Sequence, residues 1–422
     1  MNSQKLLAVF MSILLIVCAC IVVYYKQPLV GSASLTDENH SDDVTSEEPP
    51  VSHVVTGVPY VGQSTNFYCS YASTTILLLF QNCTTSLSEV LYLSGIGYST
   101  VYLRIPGYPR SILPSIVSCQ SPDTLEFLAN LFGLSFELWY PTDEPKESLW
   151  DDYWSRVTTY VADGIPVITS VDPYTLPHLK SYIPPSKEER HSGHAVVIVG
   201  FNESNNTVCF HDPATGYWGD PERGTYVYLS QDIFQDAIEN TTGTQYLLTA
   251  FLQNPTVSSF SQEERFFKAH ERNINIMRGT FGIGLNGGQY TGMWSLRRFL
   301  GDLRVGVSRR ATTVSQYSTH PIDYSVISIE KTNATQYLYN IKDKLTNDRL
   351  NEKCSREIAL LEQEVSLWNQ LSECCTQLYS QSQDRVFIGT LLFTYPTTVQ
   401  MKVLLRLLLL TERAILVNAL FM

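Results

Sequence analysis

The run His194-Ala-Val-Val-Ile-Val-Gly-Phe201 constrains the fold of this chain more than any other stretch. It is short, apolar and rich in β-branched residues, and residues 202–206 that follow are polar and Asn-rich. Thr207-Val-Cys-Phe-His211 then leads to Asp212-Pro213. The pattern predicts an antiparallel hairpin with strands at 194–201 and 206–211. A turn centred near Ser204 returns Asp212 to the level of residues 194–196, within reach of the His194 imidazole.

Further strands are expected at 165–171, 225–229 and 245–252. Helices are expected at 69–80, 123–133 and 151–163, where apolar residues recur at three- and four-residue spacing. Helices first and an antiparallel sheet afterwards is an α+β order rather than an alternating βαβ one. This pattern covers residues 54–253. From Thr256 the chain turns charged and helical, so 256–422 reads as a mostly helical domain. Cys354, Ile358, Leu361, Val365, Trp368, Leu371, Cys375 and Leu378 fall on one helical face. The Leu-rich end, 401–422, is interrupted by Arg406, Glu412 and Arg413, and reads as a buried or amphipathic helix rather than a membrane span.

At the other end, residues 6–25 are twenty residues without a charge, enough to cross a bilayer. Residues 1–26 are therefore expected to be a signal anchor or transmembrane helix, and the acidic segment 27–53 a flexible tether. A cleaved signal peptide and a lipoprotein signal ending at Cys20 are the alternatives, and all three put the rest of the chain outside the membrane. Six Asn-x-Ser/Thr triplets, at Asn39, Asn82, Asn202, Asn205, Asn240 and Asn333, agree with that location. Disulfides are permitted there, and Cys83 with Cys119, or Cys354 with Cys374 or Cys375, are the candidate pairs.

With 29 Lys and Arg against 41 Asp and Glu, a net charge of −12, the chain lacks the basic footprint of a nucleic-acid binder. No CxxC pair exists among its nine cysteines. His191 and His194 have no companion ligand at metal-binding spacing, so no metal is expected. Gly282-Ile-Gly284-Leu-Asn-Gly287 matches a dinucleotide-binding pattern but lacks the βαβ context that gives the pattern meaning, and reads as a glycine-rich turn into a helix. No cofactor is expected.

Chemistry is concentrated elsewhere. Cys69 opens an apolar helix, where the positive end of the backbone dipole favours a thiolate. Gln63, six residues earlier on the entering loop, can donate from its amide to a developing oxyanion beside the Cys69 backbone N–H. A cysteine nucleophile needs a base to take and return its proton and a third group to orient that base, roles that fit His194 and Asp212.

These residues stand within Val58-Pro59-Tyr60, Gln63, Cys69, Gly193-His194-Ala195-Val196-Val197, Gly200 and Asp212-Pro213. The pattern resembles papain-like cysteine peptidases, most closely the family-39 (bacteriocin leader-processing) peptidase-like domains, over residues 57–253. The resemblance implies a papain-like fold with a nucleophile at Cys69, an oxyanion donor at Gln63, a general base at His194 and an orienting group at Asp212. Ser70-Tyr71 departs from the Gly-Pro usual after the nucleophile. A second likeness, through Glu364-Val-Ser-Leu-Trp368 and the helical C-terminal part, is to butirosin biosynthesis protein H-like domains, which transfer acyl groups with a similar Cys/His arrangement. The expected function is a membrane-anchored, extracytoplasmic cysteine peptidase acting on a peptide or protein, with acyl transfer by the same residues, or an inactive binding module, as alternatives.

Overall fold

The computed structural model describes residues 50–65, 67–104, 111–119, 121–141, 149–183, 191–242, 244–279, 281–284, 287–309, 324–383 and 387–419. The apolar stretch 6–25 lies outside them, as does the tether up to residue 49. Among the described residues no helix is long and apolar enough to cross a membrane.

In chain order the elements run β1 (Ser52–Val54), α1 (Cys69–Phe80), α2 (Leu87–Leu93), β2 (Thr100–Arg104), β3 (Ser111–Pro114), α3 (Ile116–Cys119), α4 (Pro122–Leu131), β4 (Leu134–Trp139), α5 (Leu149–Ala162) and β5 (Val167–Val171). They continue with β6 (His194–Asn202), β7 (Thr207–His211), α6 (Ala214–Tyr217), β8 (Val227–Ser230), α7 (Gln231–Asn240), β9 (Leu248–Gln253) and α8 (Gln262–Arg278). The last are β10 (Phe281–Gly284), β11 (Gly287–Thr291), α9 (Gly292–Arg309), α10 (Ser325–Lys342), α11 (Asp348–Gln383) and α12 (Phe387–Ala419). The mixture of helices with antiparallel strands is α+β, as expected.

The chain divides into two compact units. One holds the residues up to Thr84 together with Leu134–Pro255; the other holds Thr85–Gly133 together with Thr256 onward. The continuous boundaries expected from sequence, 54–253 and 256–422, differ from this partition because residues 85–133 pack with the second unit.

In the first unit a seven-stranded sheet runs β4-β9-β5-β6-β7-β8, with β1 also paired to β6. Every pairing is antiparallel. Thus Ser52 and His53, expected within the tether, are already sheet. β5 is buried at all five positions, so the sheet is covered on both faces. Gly200 has a packing role, because a Cβ there would sit 2.9 Å from Val54 Cγ2 and 3.0 Å from the His53 carbonyl oxygen, and β1 could not close on β6. Helix α1 packs against β6, β5 and β9 and is buried continuously from Tyr71 to Leu78. A helix apolar on one side leaves the other in water; this one is enclosed all round. The strand expected from residue 165 starts at Val167, because Gly164, at φ +77°, ends the preceding helix and Pro166 has no N–H to give a ladder.

The second unit is not purely helical. Gly282 to Gly287 belongs to the antiparallel hairpin β10–β11, which joins β2 and β3 in a four-stranded sheet, β10-β11-β2-β3. The glycine pattern is therefore a hairpin, with α9 beginning only at Gly292. Buried polar contacts tie residues 85–133 to this unit. The Arg265 guanidinium donates to Glu89 Oε1 at 3.1 and 2.9 Å, Tyr98 Oη donates to Glu357 at 2.6 Å, and Glu330 accepts from Ser115 N, Ser115 Oγ and Ile116 N. An apolar core joins Tyr102 and Ile112 to Leu296, Phe299, Trp368, Leu404, Leu405 and Leu408. On α11, Cys354, Ile358, Leu361, Trp368 and Leu371 are buried as expected, and Glu357 and Glu364 are buried with them. Cys354 and Cys374 are free thiols. Lying on one helix about 30 Å apart at 1.5 Å per residue, they cannot pair, and the same separation excludes Cys354 with Cys375.

Candidate active site

Cys69 is the first residue of α1, and the side chain of Tyr68 before it makes no cap. The opening N–H groups of a helix have no partner within it. Here the Ser70 N–H is turned to the Cys69 sulfur, with the N–H of Ala195 from β6. The thiol is free and partly exposed.

His194 is the first residue of β6, opposite Val171 of β5. The pairing of Val197 with His211 sets Asp212 level with Val196, inside the interval expected from the turn. The His194 Nε2–H donates to Asp212 Oδ1 at 2.7 Å, and the ring is only 6% exposed. Nδ1 is left for Cys69, whose side chain bonds to the imidazole. Asp212 is wholly buried and takes three donors: His194 and the Ala214 N–H (2.8 Å) on Oδ1, and His178 Nε2 (2.7 Å) on Oδ2.

The charges follow from these contacts. Burial alone would push the Cys69 thiol up, but the bond to His194, its charge and the two backbone N–H groups outweigh burial and hold the thiol below its ordinary value. Burial likewise opposes a charged His194, yet the Asp212 charge and hydrogen bond, with the contact to Cys69, raise it to about 10. Asp212, against the cost of burial, is held well below the usual carboxylate range by His194 and His178. The three groups thus favour a thiolate–imidazolium pair backed by a carboxylate. Neighbouring His211 is different. Its Nε2 donates to the Val58 carbonyl, its Nδ1 accepts from the Tyr226 N–H, and burial pushes it down to about 4, so it stays neutral.

The loop before α1 is seated on the Asp212 turn. Gln63 N donates to the Pro213 carbonyl at 3.0 Å. Tyr60 Oη donates to the Asp212 carbonyl at 3.0 Å, lies 2.9 Å from Thr215 Oγ1 and accepts from the Gly216 N–H. Gly62 crosses Gly216 so closely that a Cβ on Gly216 would stand 2.4 Å from Gly62 Cα. The Gln63 side chain is 5% exposed and its Oε1 takes no hydrogen bond among the described residues. The unpaired atom is the acceptor; the group that could serve an oxyanion is the amide N–H at the other end of the side chain.

Cys69, His194 and Asp212 are thereby brought together, and Gln63 is anchored to the Asp212 turn. Two contributors carried no readable sequence signal. His178 sits in a 3-10 turn, Pro177–Leu179, without periodicity. Asp172, which holds His191 Nδ1 at 2.8 Å and the Ser192 N–H at 3.2 Å, fixes the approach to β6. His191 therefore turns to Asp172 and not toward His194. Among the described residues no group of three His, Cys, Asp or Glu side chains is arranged to hold a metal ion.

Residues 55–230 match the model of the Peptidase_C39 like family. No curated protein matches the chain. The matched span contains Gln63, Cys69, His178, His194 and Asp212, and includes residues 85–133 that pack in the second unit. The match supports a domain from Val55 to Ser230 that is similar to papain-like cysteine peptidases of the Peptidase_C39 like kind.

Proposed function

We propose that the chain hydrolyses peptide bonds through Cys69, His194 and Asp212, with Gln63 assisting. The observation that carries this reading is the hydrogen-bonded series from the Cys69 thiol through His194 to a fully buried Asp212. The Cys69 thiolate attacks the scissile carbonyl carbon, and the carbonyl oxygen takes up the negative charge facing the Cys69 N–H and the Gln63 amide. His194 gives its Nδ1 proton to the leaving amine as the C–N bond breaks, leaving a thioester on Cys69. Water then attacks that thioester, His194 takes the water proton, and the acid is released as the C–S bond breaks, restoring the Cys69 thiolate beside protonated His194. The uncharged stretch 6–25 supports a membrane-anchored protein with this domain on the outer side.

The test is cleavage of a peptide library by the full chain. Wild type cleaves and Cys69→Ala does not, while Gln63→Ala slows cleavage by about 10²–10³, as expected for one oxyanion donor. Equal cleavage by wild type and Cys69→Ala would overturn the reading. Transfer of the acyl group to an added amine in preference to water would replace hydrolysis by acyl transfer.

A further inference from the structure

The Asp212 carboxylate has two histidines on it, and only His194 is accounted for by the proposed chemistry. His178 Nε2 lies 2.7 Å from Oδ2, matching the His194 distance to Oδ1, and its side chain is 11% exposed. Because an ionised carboxylate only accepts, His178 must present Nε2–H. Its ring also packs 5.7 Å from Phe210, the residue before His211.

The segment carrying His178 is strapped to the loop that follows Asp212. Tyr182 stacks on Trp218 at 4.7 Å with the rings 3° from parallel, and its hydroxyl donates to Asp220 at 2.7 Å. Arg223 lies over the Tyr182 ring at 5.2 Å and donates to Ser181 Oγ at 3.0 Å. A histidine resting on the carboxylate by chance would have no need of such a strap.

We propose that His178 is a positioning residue: by donating to Asp212 Oδ2 it locks the carboxylate, and through it the His194 ring beside Cys69. A carboxylate bonded on one oxygen can swing about its Cβ–Cγ bond. With both oxygens held from different directions it cannot, so Oδ1 stays in line with His194 Nε2. The array then reads Cys69, His194, Asp212, His178. This inference rests on Cys69 being the nucleophile.

The experiment measures Cys69 alkylation by iodoacetamide against pH in the full chain, with the labelled cysteine identified by peptide mass. Wild-type Cys69 reacts as a thiolate at a pH below that at which an ordinary thiol ionises. His178→Phe keeps a ring but loses the donor, and its rate near about pH 6–7 falls by about 10–100-fold, the scale expected when a catalytic group is misplaced by about 1 Å. Near about pH 10, where a thiol ionises without help, the rates converge. His178→Gln can set an amide N–H where Nε2 stood and restores the wild-type profile. A folded His178→Phe protein with the wild-type profile would overturn the proposal.

Should His178→Phe not fold, ¹⁵N-histidine spectra of wild type decide. The Nε2–H tautomer at His178 is expected, and the Nδ1–H tautomer overturns the proposal. If wild-type Cys69 labels no faster than the other cysteines, the nucleophile reading fails instead, and the tautomer still decides the place of His178.

Discussion

Three side chains around one turn each contribute to the pH dependence of stability. His194 is raised to about 10 from an unfolded value near ~6.5, so its contribution is full below that value and is lost as pH rises toward 10. His211, pushed down to about 4, works on the other side: the unfolded chain takes up a proton first, and stability is lost as pH falls from ~6.5 toward 4. Asp212, held low, adds a further loss once pH drops below ~3.9. The summed contribution of these three groups is greatest between about pH 6 and 7, and in urea-unfolding midpoints Asp212→Asn should flatten the loss above that range. An alkaline limb unchanged in Asp212→Asn would show that the His194–Asp212 pair does not set it. At this scale Cys69, His194 and Asp212 could be singled out because each stands at or beside an element boundary whose pattern is local, and Gln63 by its spacing from Cys69. His178 was not, because its role depends on a loop folding back across about thirty residues onto Asp212.

Among elements, the crossing of the Gln63 loop over α6 is the most exacting contact. Gly216→Ala forces a Cβ against Gly62 Cα, an approach that neither backbone can relieve without moving. The expected result is a stability loss of about 1–3 kcal/mol. Peptide cleavage should fall by more than that loss accounts for, because Gln63 moves with Gly62. A variant with wild-type turnover would separate the crossing from the chemistry. The hairpin β6–β7 was legible in its strands and turn, since an apolar run followed by a polar turn admits few pairings, but the register shift between Ile198 and Gly200 was not. Helix α1 was legible in extent but not in surroundings: its Ser and Thr suggest a wet side, whereas Ser73, Thr74 and Thr75 are all buried, with Thr75 Oγ1 donating to the Tyr71 carbonyl and Ser73 Oγ to that of Ala195. The β10–β11 hairpin was missed because its strands are short and glycine-rich, with few apolar side chains to set a pattern, and their pairing partner lies far back in the chain, in β2.

For the molecule as a whole, the second unit conceals a charge problem. Lys331 is fully buried and paired with Glu364, also fully buried, near Glu412, whose two oxygens take no hydrogen bond among the described residues. Burial and the neighbouring Glu364 push Glu412 up to about 8, so it is mainly protonated at neutral pH. Glu412→Gln should then leave stability at pH 7 nearly unchanged. Lys331→Met, which strands Glu364 without a counter-charge, should cost about 3–5 kcal/mol. Comparable losses in both, read from unfolding midpoints, would mean that Glu412 is ionised. A second expectation concerns the partition of the chain. A fragment of residues 50–255 carries Tyr92, Tyr98, Tyr102 and Ile112 without the helices that bury them, so it should bind a hydrophobic dye and be cut by protease between 85 and 133. A protease-resistant fragment would show that this segment folds without the second unit. No residue pattern announces this interleaving, because periodicity reports which face of a segment is apolar and not which distant segment will cover it.

The interleaving also imposes an order in time. A ribosome delivers Cys69 first, then residues 85–133, and only later His194 and Asp212, so the first unit cannot close until Gln253 of β9 has emerged. By then the intervening segment is still waiting for Leu404, Leu405 and Leu408, which follow Gln253 by about 150 residues. At roughly 5–20 residues per second the gap is on the order of ten to thirty seconds. Throughout that interval a nascent chain would hold an assembled cysteine centre alongside an uncovered aromatic stretch, and its yield would depend on whatever shields that stretch during translation.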